Sequence, residues 1–163
     1  MSTIETFEAS GLQCAIDEFS QDRAMCYVAI PKGHAFYRCR RDVLLAVPAD
    51  YSGRAVNPSR IAFADFPGKV PATLEAGAEV PASILLDVPG GIWFTGMRAD
   101  SSGNWWWGFA ISNDATIEEK RAELTGFAAK LAAPEHATIT GGPAPFPELT
   151  HEMSIQNGVV TTS

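Results

Sequence analysis

Apolar and polar positions alternate along the first part of the chain. Residues 11–19 put Leu12, Cys14 and Ile16 on one side of an extended backbone, and polar Ser20-Gln21-Asp22-Arg23 interrupts them. Residues 24–30 follow as a more apolar strand. Together they predict a hairpin closed by Pro31-Lys32-Gly33. Residues 40–47 read two ways: Val43, Leu44, Leu45 and Val47 suit either one helical turn or a short strand, and Pro48 ends both. The prolines at 48, 58, 67, 71 and 81 predict that residues 48–82 form an irregular insertion with a short strand near Ile61-Ala62-Phe63. Residues 83–87 then suit a third strand and residues 92–97 a fourth. Residues 105–111 suit a fifth, antiparallel to the fourth across a turn at 99–104.

Periodicity changes after Asp114. Ile117, Leu124, Phe127, Ala128 and Leu131 recur at helical spacing, with Glu118, Glu119, Lys120, Glu123 and Lys130 marking the wet side. Thr116 and Glu119 stand where a capping box needs them, each able to bond the other's backbone amide. Gly126 weakens this helix and suggests close packing at that point. Residues 134–163, rich in Pro, Gly and Thr, predict an extended tail. The expected architecture is α+β: an antiparallel sheet of about five strands, one amphipathic C-terminal helix over 116–132 packed on it, and the tail. Residues 1–133 would form the single domain.

Composition narrows the class. The chain has 163 residues, of which 46% are apolar, enough for a core without disulfides or metal. Its net charge of −7 argues against nonspecific nucleic-acid binding, which needs excess Lys and Arg to displace phosphate counterions. No apolar run is long enough to span a bilayer. Met1 to Ser10 lack the basic and apolar regions of a signal peptide, so a cytoplasmic location is expected. Cys14, Cys26 and Cys39 are odd in number and not at Cys-x-x-Cys spacing, which disfavours a disulfide scaffold or structural zinc and suggests buried free thiols.

Candidate chemistry concentrates around aromatics. Trp93, Trp105, Trp106 and Trp107 lie on two neighbouring strand segments. Alternation forces Trp106 to face away from Trp105 and Trp107, so either both sheet faces are covered or one aromatic face is open to a ligand. His34 follows the end of the second strand, where loops commonly carry chemistry. It is either a working imidazole or a structural one. Arg38, Arg40 and Arg41 form a basic knot, a solvated loop or an anion clamp. Gly90 and Gly91 either turn the chain or let a ligand approach the backbone. Asp87 is a base, a ligand or a cap for that turn, and Asn113-Asp114 suit a cap before the helix. No zinc signature, nucleophile elbow, P-loop or dinucleotide fingerprint occurs, so no metal or cofactor is expected.

Three segments carry a resemblance: residues 26–34, residues 87–94 and residues 105–114. In order and character they resemble a family of small bacteriophage and prophage proteins of uncharacterised function. Its segments read Gly-Tyr-Val…Gly-His-Pro, Asp-Val-His-Gly-Gly and Trp-Trp-x-Gly-Phe-Asp-x-x-His. The resemblance implies a His and Asp cluster suited to metal binding or phosphoester chemistry. His34 and Asp87 match it, while Pro89 replaces one His, Ala110 replaces the Asp and Asn113 stands near the last His. A site so depleted loses its means of proton transfer. The expectation is therefore a non-catalytic, phage-type accessory protein of the host cytoplasm. It would bind a small anionic ligand, such as a nucleotide signal, or a host defence protein. Arg38, Arg40, Arg41, Gly90, Gly91, Trp93, Trp105, Trp106 and Trp107 would line the site, with the indoles gathered beside His34. The alternatives are a phosphodiester hydrolase using His34 and Asp87, and a virion or assembly component. Oligomeric state is left open.

Overall fold

The computed structural model describes residues 3–56, 58, 70–86, 88, 90–98, 103–132 and 139–141. Strands β1 (Thr3–Ala9), β2 (Leu12–Glu18), β3 (Arg23–Ile30), β8 (Ile92–Met97) and β9 (Trp105–Ser112) form one antiparallel sheet in the order β1-β2-β3-β9-β8. β1 is an addition to the expected set. Its polar Thr-Ile-Glu-Thr-Phe-Glu-Ala pattern suits an edge. It returns into β2 through Ser10 and Gly11, whose φ values of 53° and 77° are what a two-residue type I′ hairpin requires.

The central seam joins β3 to β9 over eight pairs, from Arg23 opposite Ser112 to Ile30 opposite Trp105. All of residues 24–30 are buried, as strands covered on both faces require. β8 completes the sheet, with a register shift between Ile92 and Phe94.

Helix α2 (Ile117–Ala132) lies over one face. Leu124, Phe127, Ala128 and Leu131 pack there with Cys14, Ile16, Cys26, Val28, Trp105, Trp107 and Phe109. Phe109 and Phe127 meet edge to face at 5.5 Å. The capping box forms: the Glu119 N–H donates to Thr116 Oγ1 at 3.1 Å, and the Thr116 N–H to Glu119 Oε1 at 3.3 Å. Two helix expectations need correction. Lys120 is buried, not on the wet side. Gly126 faces open space, so it does not mark close packing.

A smaller sheet has the order β10-β4-β7, from β4 (Leu44–Ala46), β7 (Glu79–Pro81) and β10 (Ile139–Gly141). The strand reading of 40–47 therefore holds. Within 48–82 the described residues include a 3₁₀ turn at Ala49–Tyr51 and the pair β5 (Arg54–Ala55) with β6 (Thr73–Leu74). Val56, Leu74 and Val80 join the main core. The expected strand over 83–87 is instead a helical turn, α1 (Ala82–Leu85). Pro81 precedes it, the Ala82 and Ser83 amides donate to Val43 and Arg41 carbonyls, and the Leu86 amide closes back on Ala82. So short an apolar run has no periodicity to separate strand from helix. The expected strand at Ile61–Phe63, the turn at 99–102 and most of the tail lie outside the described residues.

Candidate functional site

The tryptophan run obeys its alternation, and both faces are covered. Trp105 and Trp107 enter the helix-side core, while Trp106 enters a second cluster on the opposite face with Ala15, Met25, Tyr27, Ala29 and Ala110. None of the three is more than 5% exposed, so with the chain's own side chains in place their rings are closed to solvent. Trp105 Nε1 donates to the Cys39 carbonyl at 2.8 Å.

Among the described residues, His34 reaches the indoles through Phe36. The imidazole stacks on Phe36 at 5.8 Å, and Phe36 meets Trp107 at 5.1 Å. Its Nδ1 accepts the Phe36 N–H at 3.1 Å, which leaves the proton of the neutral ring on Nε2. Burial pushes its pKa below the usual 6.5, opposed by the Leu131 carbonyl at the end of α2. The ring thus clips the β3 exit to the helix terminus. Arg38, in a left-handed conformation at φ 63°, lies over the Tyr37 and Trp105 rings. Arg40 is exposed near Asp42 at 3.5 Å, and Arg41 Nη1 donates to the Ile92 carbonyl at 2.8 Å. Gly90 and Gly91, with φ of 72° and 82°, make a turn in which the Gly91 amide bonds the Val88 carbonyl. Asp87 lies outside the described residues. Among the described residues, Arg41 thus meets the strand that follows the glycine turn and Arg38 covers Trp105, while Trp106 and Trp107 are sealed in the two apolar clusters.

A cleft of about 670 Å³ opens elsewhere, at the end of the sheet nearest the start of α2. Ile4, Glu18, Phe19, Ser20, Gln21, Asn113 and Lys120 line it. Asn113 organises its floor and is not a helix cap. Its Nδ2 donates to the Ser20 and Gln21 carbonyls at 3.1 and 2.9 Å, which turns its Oδ1 toward Lys120 Nζ at 3.2 Å. Lys120 is 8% exposed, and that neutral amide oxygen is the side-chain partner it has; no described carboxylate pairs with it. The stem of Lys120 is covered while its ammonium meets the cleft, where an anion could reach it.

Phe19 carries the cleft toward an aromatic surface. It is 47% exposed and meets Trp93, 48% exposed, edge to face at 6.1 Å. The Arg23 guanidinium lies 5.8 Å over the Trp93 ring. Trp93 is thus the one member of the tryptophan set that faces solvent among the described residues. Sequence reasoning missed Lys120 because helical spacing alone put it with the charged neighbours. The available signal was Asn113 at the strand end, a fixed acceptor within reach of the first helical turn.

Burial raises all three thiols, Cys14 to about 11, Cys26 to about 12 and Cys39 in the same direction. They are inert core residues. No helix among the described residues is long and apolar enough to cross a membrane. No three His, Cys, Asp or Glu side chains of the described residues gather as a metal site needs. No family model matches the chain, and neither does any curated protein or solved structure.

Proposed function

We propose that the protein is a non-catalytic binding module for a small anionic ligand, held in the cleft at the end of the sheet. The observation that carries this is Lys120, a largely buried side chain that lines an open cleft with a neutral oxygen as the partner of its ammonium. An anionic group there would supply the missing counter-charge, and the half-exposed Phe19 ring offers a flat neighbour for a base or another aromatic body. The reading as a phage-type accessory protein rests on the three sequence segments. A hydrolytic role draws less support, because His34 spends its Nδ1 on a backbone amide and its face on Phe36.

The test is calorimetric titration of the wild type and Lys120→Met with inorganic phosphate, mononucleotides and cyclic dinucleotides. At least one anion should bind saturably. The substitution should weaken it about 10- to 100-fold, the loss of one charge-assisted hydrogen bond. Equal affinity in the two proteins, or no binding by any anion, rejects the proposal.

A second reading, docking of a host protein, is favoured by the exposed Phe19–Trp93 pair under Arg23. Aromatic and arginine side chains dominate binding energy at protein interfaces. Trp93→Ala should then abolish complex formation while leaving anion binding unchanged.

A further inference from the structure

The sheet face opposite α2 holds an arrangement that the cleft does not use. Tyr27 and Trp106 stand nearly perpendicular, at 83° with centroids 6.3 Å apart, and Phe94 meets Tyr27 at 86° and 5.6 Å. The Arg98 guanidinium sits 4.5 Å from the centroids of both Tyr27 and Trp106. Gly108 makes room for this, since the Tyr27 ring lies across it and a Cβ there would come within 2.7 Å of the ring. Asp17 closes the group. One of its oxygens, Oδ2, takes Arg98 Nη2, while Oδ1 is buried without a partner.

We propose that Tyr27, Trp106 and Asp17 form an aromatic cage for a guanidinium ion, filled in this structure by the chain's own Arg98. Two perpendicular π faces and a carboxylate are the elements that recognise a desolvated organic cation. Arg98, tethered just after β8, engages Asp17 through one oxygen. A guanidinium brought from outside could approach the carboxylate in the plane that serves both oxygens, making the two-bond fork and satisfying Oδ1. The walls of the cage are buried, and the Arg98 side chain that fills it is 19% exposed, so removing that side chain opens the cage on its solvent side. The site is separate from Lys120 and takes the opposite charge, so it stands or falls independently of the anion reading.

Arg98→Ala empties the cage, and Arg98→Met empties it while keeping an apolar cover. Each variant is titrated with methylguanidinium, followed by tryptophan emission and by melting temperature. The expected result is a lowered melting temperature that methylguanidinium raises saturably, with an accompanying emission change. Adding Asp17→Asn to either variant should weaken the response about tenfold or more. An arginyl peptide that binds more tightly than methylguanidinium points to a side chain of a protein partner as the source; equal affinity points to a free small cation. If either variant has native far-ultraviolet dichroism yet neither gives a saturable response, the proposal fails. It fails equally if the response survives Asp17→Asn.

Discussion

Single side chains decide more here than their chemistry suggests in isolation. His34 looks available after a strand end, yet its ring is committed to Phe36 and to the helix terminus. Because burial holds its folded pKa below 6.5, the unfolded chain takes up a proton first as pH falls. Stability should therefore decline as pH drops below 6.5 and level off below the folded value. Urea denaturation at a series of pH values checks this, and His34→Gln should remove that share of the slope. Gly108 is constrained more simply. An added Cβ would meet Tyr27 at 2.7 Å and the Cys26 carbonyl at 3.0 Å, in the middle of the sheet. Gly108→Ala should cost about 1–3 kcal/mol in the same assay. A change near zero would mean that the Tyr27 ring can leave the glycine at little cost.

At the level of elements, what was legible depended on length and period. The β2–β3 hairpin, the β8–β9 pair and α2 all have runs long enough for alternation or helical spacing to be unambiguous. The Ala82–Leu85 turn does not, and β1 carries its weak pattern at an edge, where few apolar positions are needed. The tryptophan parity could be read directly, but not its consequence. Trp106 is covered by its cluster neighbours and by Arg98, a residue just after another strand whose side-chain direction no local pattern encodes. Lys120 shows the same limit: the wheel placed its Cα, while its stem and ammonium turn inward to Asn113. Gly126 is the converse case, an exposed helical glycine with nothing within reach of a Cβ. Gly126→Ala should stabilise the protein by roughly 0.5–1 kcal/mol, read from the urea midpoint. No gain would indicate that the glycine serves a contact outside the isolated chain.

For the whole molecule, one apolar cluster runs from the large sheet and α2 into the small sheet, and it contains Cys14, Cys26 and Cys39. Their thiols are buried and poorly ionised at neutral pH. A thiol-reactive disulfide reagent at pH 8 should leave all three unlabelled in the folded protein. All three should then react together across the urea transition. Staggered labelling, with Cys39 ahead of the sheet cysteines, would show that the small sheet opens as a separate unit.

The seam between β3 and β9 has a consequence for how the protein is made. β1, β2 and β3 leave the ribosome as a finished meander, with the apolar rim of β3 waiting for a partner encoded far downstream. At ordinary elongation rates that rim stays unmatched for roughly 4–15 s, until β9 is synthesised. Nascent chains paused before Trp105 should thus be the species that chaperones grip and that aggregates when production is forced.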